Sequence, residues 1–585
     1  MKRKSNEEET VKVSSHSYAS RVSAVYNVLG AHPYIAAFLT IVILTPLCYG
    51  AQNNMTPSAK MIFCLIGIAL PAAVILLLVR SGLAAHLPSY AVAGVTVIAG
   101  LVLSYCFVRS FYPALWIFCY TLLAAVLFRL SLLRDNSDRD RHNAFAIMAV
   151  SFALKFSYVL YTSCYTRQND VGRFNTERGH ASYIEYLIEN RHLPDFYPAS
   201  RWQYYHPPLH HTVSAGWISI CENVFGAGYN YARESLQMLM LFYSAACVIA
   251  VYKLLRHFGF SGKALCLPLM LFAFHPAFIL SSGAINNDQL ATLLIILTML
   301  FTVRWSREAT MKNIIPIALS IGFAMMTKLN AALIAPAVAV IFLWKLAKNI
   351  KTWKKLFVQF AVFGVIVFPL GLWWSVRNYI RWGMDPTYVP NLGEETQYVG
   401  DDIIGRLFSF APKQFKRVFE NWLMDGHAYD EYNPNVAILK NSLFAEHMSE
   451  DNFPKGTVFV PTLLFWVAML LALFSVGIMV YHLIKKDTRL ELHDKAFFAG
   501  YWAFLMYYFY LFCYLFPNTC TQNFRYIVPL LAVSAVQFAM LFDSKEEGGE
   551  TKLRKAVNVT VTCAIFLFAL LSTATYLLVG YVDSH

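Results

Sequence analysis

LFVQFAVFGVIVFPLGLWWSV, residues 356–376, carries no charged side chain over twenty-one positions. As a helix rising about 1.5 Å per residue it reaches roughly 30 Å, the hydrocarbon thickness of a bilayer. KLAKNIKTWKK (345–355) precedes it and RNYIRW (377–382) follows it. The run reads as a membrane crossing that leaves a lysine-rich side. Runs of this kind recur along the 585 residues, of which 57% are hydrophobic and 14% charged. A soluble enzyme of this length needs more polar surface. The expected fold class is an all-α polytopic membrane protein.

Crossings are expected near 31–49, 59–79, 88–107, 111–130, 143–162, 235–253, 264–281, 288–303, 312–327, 330–347, 356–376, 457–482, 496–516, 524–542 and 557–580, about fifteen in all. The net charge of +13 raises nucleic acid as a partner, but the basic residues are sorted by side. MKRK (1–4), RLSLLRDNSDRDR (129–141), KLLRHFGFSGK (253–263), RWSREATMK (304–312), KLAKNIKTWKK, KKDTRLELHDK (485–495) and KLRK (552–555) all fall on one side of the crossing count. That is the positive-inside pattern. It places the N-terminus in the cytoplasm and the C-terminus outside, and it argues for membrane lipids and against nucleic acid as partners. Residues 1–30 are mostly polar, unlike a cleavable signal peptide, and are expected to form a cytoplasmic segment. Cys164, Cys221 and Cys520 share the outer face, where free thiols are the expected state.

Two connections are long, 163–234 and 377–456, and both fall outside. Long excursions of this kind carry function. In the first, Asp170 follows directly on a crossing, as a helix cap, a solvated acid or a reactive one. GHASYIEYLIENRHLP (179–194) then places Tyr183, Ile184, Leu187 and Ile188 at helical spacing, an amphipathic helix suited to the membrane interface. RWQYYHPPLHHTVSAGW (201–217) follows. Pro207 and Pro208 forbid a helix before about Leu209. Tyr205 and His206 suit a polar ligand held over aromatic faces. The three histidines lack the spacing of a zinc motif, and no metal ligand is assigned.

Other crossings end outside in polar groups. AINNDQLATLL gives Asn286, Asn287 and Asp288, of which an N-cap explains one. TKLNAALIAP puts Lys328 in a turn too short to leave the bilayer. WWSVRNYIRWG ends in Arg377, and QNFRYIVPL (522–530) brings in Arg525 and Tyr526. Cations on the side that should hold few suggest a reserved anion site, and a phosphate fits it through charge-assisted hydrogen bonds. The second long loop, with LGEETQYVGDD and WLMDGHAYDEYNP, reads equally as acceptor-binding, as a site for a divalent cation, or as a solvated surface.

Asp170 after a crossing, the following helix, YHPPLHH, the lysine of TKLN, WWSVRN and FRYIVP together resemble the GT-C membrane glycosyltransferases. They are similar in particular to the bacterial aminoarabinose transferases and protein O-mannosyltransferases. The resemblance covers roughly 143–580. It implies a GT-C-like fold, a sugar donor linked to polyprenyl or dolichyl phosphate, and transfer on the exoplasmic side, at a bacterial plasma membrane or the endoplasmic reticulum. It implies Asp170 as the catalytic aspartate, acting as general base, Lys328, Arg377 and Arg525 on the donor phosphate, and His206 with Pro207 and Pro208 in the site wall. Tyr205, Glu177, Asp288 and Tyr526 join them as substrate-binding candidates. Asn169-Asp170 replaces the adjacent Asp-Glu pair of protein mannosyltransferases, which leaves a glycan or lipid acceptor beside a protein one. No cofactor is fixed by these residues, and a divalent cation stays open as one.

The expected organisation is a cytoplasmic segment 1–30, added transmembrane helices 31–142, a catalytic transmembrane core 143–376 containing loop 163–234, an outer loop 377–456 and C-terminal helices 457–585. The expected activity is inverting transfer of a sugar to an acceptor hydroxyl. The alternative is a transporter or flippase for a lipid-linked or amphipathic solute, which should carry internal repeats and polar groups at the midplane. No repeat is visible, and the polar residues cluster at one face.

Overall fold

The computed structural model describes residues 31–49, a few positions within 115–125, and residues 139–390, 397–419, 431–485, 489–543 and 552–583. Helices dominate, and no sheet forms among these residues; a single bridge joins Tyr398 to Asn518. The principal helices are α1 (Pro33–Tyr49), α2 (Arg139–Tyr161), α3 (His180–Asn190), α4 (Leu209–Asn223), α5 (Leu236–His257), α6 (Lys263–Ala273), α7 (Pro276–Leu280) and α8 (Asp288–Arg307). They are followed by α9 (Met311–Thr327), α10 (Ala335–Lys348), α11 (Trp353–Trp382), α12 (Pro434–Phe444), α13 (Phe459–Ile484), α14 (Leu492–Leu515), α15 (Leu530–Leu541) and α16 (Lys552–Asp583).

Among the described residues eight helices are long and apolar enough to cross a membrane, or nine if Thr519–Tyr526 and the bent continuation α15 form one span. This is fewer than the fifteen crossings expected, for two reasons. The expected crossings at 59–79 and 88–107, and most of 111–130, lie outside the described residues, as does the segment 1–30. Three others are short apolar helices, Pro33–Pro46, α6 and α9. Proline accounts for one of these: His275 is extended ahead of Pro276, so the apolar run over 264–281 splits into α6 and α7.

Helices α5 and α8 form the centre of the bundle, each with 78% of its most apolar window buried by protein. The long helix α11 has only 22% buried, and Val365, Phe368 and Ile380 project outward, as a lipid-facing helix requires. Helix α8 packs on α5 and α9, α9 on α11, α6 on α2 and α15, and α13 on α16.

Ion pairs between distant segments divide into two sets, one at each end of the bundle. Arg307 pairs with Glu491 and Asp494, Arg489 with Asp543, and Arg256 with Asp140. At the other end Arg167 pairs with Asp583, Asp170 with Arg525, and Lys328 with Asp288. Each pair joins segments that alternate crossing would bring to the same end.

Candidate functional site at the polar end of the bundle

The chain leaves α2 in a tight run that ends at Asp170. Glu234 accepts from Ser163 Oγ (2.9 Å) and Cys164 N (2.8 Å), and Arg167 pairs with Asp583. Gln168 donates to Gly283 O (2.7 Å) and accepts from Ile285 N (3.0 Å), tying this run to the strand of chain that leads into α8. Asp170 then takes a left-handed backbone conformation (φ 61°), which aspartate tolerates better than most residues.

Helix α3 has no side-chain cap. Its first donors, His180 N and Ala181 N, instead bond Asp170 O (3.1 Å) and Val171 O (2.9 Å). Two glycines make that closure fit. A Cβ on Gly172 would sit 1.9 Å from Arg178 O, and one on Gly179 would sit 2.3 Å from Val171 O. Both glycines also have positive φ. The backbone at Asp170 is therefore held by the start of α3.

Arg525 lies in a one-turn helix, Phe524–Tyr526, capped by Asn523, whose side chain accepts from Arg525 N (2.9 Å). One guanidinium nitrogen donates to the Asp170 carboxylate, another to Tyr526 OH (3.0 Å). The third, Nε, is buried with no partner among the described residues. A buried N–H left open in this way suits an acceptor brought by a ligand.

Helix α9 has 17 residues, or about 25 Å, which is short of a full bilayer core. It ends at Thr327, and the Lys328 side chain that follows is only 13% exposed. The cost of a cation so buried is met by Asp288, to which Lys328 donates. The three polar residues before α8 divide their duties. Asn286 accepts from Asp288 N (3.1 Å), Asn287 donates to Thr327 O (3.1 Å), and Asp288 holds the lysine.

The two ion pairs meet at Tyr526. Lys328 Nζ lies 5.1 Å and the Arg525 guanidinium 5.0 Å from its ring centre. Asp288, Lys328, Arg525, Tyr526 and Asn330 line the polar end of a cleft enclosing about 330 Å³, part of it open to the surroundings. Ile295, Leu505 and Pro529 continue it as an apolar wall.

His206 flanks this group. Burial, then the charge of Lys328, drives its imidazole down to about 3, so the ring is neutral. It stacks on His180, and His180 Nδ1 meets His211 Nε2 at 2.9 Å. His210 instead bonds Ile285 O (3.1 Å). Two histidines of the Pro-Pro turn, His206 and His211, therefore meet at His180, and His210 turns away from them to a backbone carbonyl. Among the described residues no group of three or more His, Cys, Asp or Glu is arranged around a metal position. Cys164, Cys221 and Cys520 are free thiols. Tyr205 is fixed by Trp374, which donates to its carbonyl (3.0 Å), and burial followed by the charge of Asp170 raises its phenol well above the usual range.

Two candidates stand apart. Glu177 forms an exposed pair with Arg201 (2.9 Å). Arg377 donates to Pro194 O (2.5 Å) and packs its guanidinium over Trp374 (4.8 Å) and Trp382 (4.9 Å). Its charge is used on the Pro194 carbonyl, midway along the first loop, and it does not line the cleft.

The helix anticipated in that loop forms as α3, but it is not a one-sided amphipathic helix. Residues His180 to Glu185 are all buried, Glu185 included, because Arg233 reaches it with two hydrogen bonds (2.5 and 2.9 Å). Only its C-terminal end, Glu189 to Arg191, is open.

Sequence reasoning missed Glu446 and His447. They follow α12 and touch the site directly, through Asn523 and Asn169 respectively. In FAEHMSEDN (444–452) nothing separates Glu446 from the other acids of a polar loop. Most of WLMDGHAYDEYNP and part of LGEETQYVGDD lie outside the described residues.

Residues 207–374 match a family model described as dolichyl-phosphate-mannose-protein mannosyltransferase. No curated protein matches the chain. The matched part runs from the Pro-Pro turn to the tryptophan pair of α11 and contains Asp288 and Lys328. The match and the helical bundle together support a GT-C-like glycosyltransferase acting at a membrane interface.

Proposed function

We propose that the chain transfers a sugar, with inversion, from a polyprenyl or dolichyl phosphate to an acceptor hydroxyl at the exoplasmic end of the bundle. The observation that carries this reading is the cleft itself. Asp288, Lys328 and Arg525 stand at its head, Asp170 is paired with Arg525 beside it, and Ile295, Leu505 and Pro529 continue it as an apolar wall. A lipid phosphate has that same division of polarity.

In the resting site Asp170 and Arg525 neutralise each other. A donor phosphate competes for Arg525, filling the open Nε and freeing the Asp170 carboxylate. Asp170 then accepts the proton of the acceptor hydroxyl as its oxygen bonds to the anomeric carbon. The bond from that carbon to the phosphate oxygen breaks, and the electron pair leaves with the lipid phosphate. Lys328 and Arg525 hold the charge that develops there. One displacement inverts the centre. His206, neutral and stacked, and Tyr205 and Tyr526 offer aromatic faces to the sugar. Neither a metal nor another cofactor is needed to balance the step.

The test is release of lipid phosphate from a panel of radiolabelled polyprenyl-phosphate sugars by purified protein in nanodiscs. No release from any donor, with or without added acceptors, would remove the reading. Lys328→Met is expected to cost roughly 10²–10³-fold in kcat, because one of two preorganised cations is lost and Asp288 is left unpaired. Its KM should rise less; an unchanged kcat would take Lys328 off the leaving group. Gly179→Ala is expected to lower kcat by about 10²-fold without touching any charged group, since its Cβ pushes away the carbonyl that fixes the Asp170 segment. Faster proteolytic cleavage within 163–180 should accompany that loss.

A further inference from the structure

Glu446 follows α12 by two residues and is 7% exposed. It accepts a hydrogen bond from the Asn523 side chain. Next to it, His447 Nε2 meets Asn169 Oδ1 at 3.1 Å. Earlier in the same segment Asn441 donates to Gln522 O (2.9 Å) and accepts from Phe524 N (2.7 Å). Residues 441–447 thus grip the residue before Asp170 with one side chain and the turn bearing Arg525 with two others. The second long loop builds a third carboxyl group into the Asp170–Arg525 centre.

The charge balance shows what that group decides. Lys328 and Arg525 contribute two positive charges, and Asp288 and Asp170 two negative ones. A phosphate entering this set meets no net repulsion. With a third carboxylate ionised the set is net negative, and the phosphate is opposed by a charge sharing the field of Arg525. We propose that Glu446 is a positioning residue whose protonation decides whether the cleft accepts an anionic lipid headgroup: neutral Glu446 leaves Arg525 available, and ionised Glu446 competes for it.

This inference rests on the lipid-phosphate reading above. The groups acting on Glu446 are Arg525 from the Phe524–Tyr526 turn, Asp170 from the first loop, and its neighbour His447, with Cys520 facing it from the Thr519–Thr521 turn. Burial, followed by the repulsion of Asp170, raises its carboxyl above the ordinary glutamate range, against the pull of Arg525, His447 and Asn523. The sign follows. Glu446 stays neutral to higher pH than a solvated glutamate, so anion affinity is full below its folded pKa and falls as pH rises through it.

The experiment uses the full chain in nanodiscs and a synthetic prenyl methyl phosphodiester, which keeps one negative charge over the range. Binding is measured between about pH 5 and about pH 9 for wild type and Glu446→Gln, an amide that mimics the neutral acid. Equal affinities are expected at the acid end, and about tenfold tighter binding by Glu446→Gln at the alkaline end. Asn523→Ala provides a second variant. It removes a hydrogen bond that favours the ionised form, so its loss of affinity should move to higher pH. The same pH dependence in all three proteins overturns the role of Glu446 and leaves the lipid-phosphate reading standing. Absence of binding in all three at every pH overturns both.

Discussion

Asp170→Asn should abolish sugar transfer, lowering kcat by about 10³–10⁴-fold while the protein remains folded. Asparagine has the shape of aspartate, tolerates the same left-handed backbone, and can still accept from Arg525 through its carbonyl oxygen. What it cannot do is take the acceptor's proton. The resting ion pair predicts a second sign. With the anion gone, Arg525 is no longer neutralised, so Asp170→Asn should bind the donor phosphate more tightly than wild type even as turnover disappears. A dead variant with weakened donor binding would instead point to collapse of the Asp170 loop. Retained turnover would take the base away from Asp170 altogether.

The largest expected loss of stability lies away from the chemistry, at Arg233. This arginine is 5% exposed at its side chain and binds Glu185 through two nitrogens and Glu222 through a third (2.6 Å). Its guanidinium also covers the ring of Tyr229 at 3.3 Å. Arg233→Leu leaves Glu185 buried without its cation, next to a second carboxylate, and should cost about 3–5 kcal/mol. The measurement is the thermal midpoint in nanodiscs, with proteolysis of 163–234 as a local probe. The double variant Glu185→Leu/Arg233→Leu should recover much of the loss, because the apolar pair leaves no buried charge. A midpoint unchanged in Arg233→Leu would show that the network is not what docks α3.

The crossings were legible because burial in lipid is written as length and apolarity, which need no partner to be read. The two cations of the cleft were legible as unusual for a related reason. Lys328 stands in, and Arg525 just after, a short outer connection, where few basic residues are expected. Arg377 carried the same signal but a different use. A cation at a helix end looks alike in sequence whether its target is a phosphate or, as here, the Pro194 carbonyl. Nothing local marks Glu185 as buried, because its partner, Arg233, comes 48 positions later. Glu446 was hidden by the same effect at greater range. Its burial depends on the docking of α12 against a turn some eighty residues onward, and no local pattern encodes that.

The Asp170–Arg525 pair closes across 355 positions of chain, and this separation bears on the life of the protein before it is finished. At about 5–20 residues per second, a ribosome needs roughly 20–70 s to travel from the acid to its cation. Through that interval the nascent chain holds Asp170 without Arg525 and a second loop without the turn it grips. Arg167 waits longer still, since Asp583 arrives with the final helix. On the reading proposed above, transfer would wait until Arg525 and the helix bearing Asp583 have both been threaded, so a chain stalled in the translocon would leave the donor untouched.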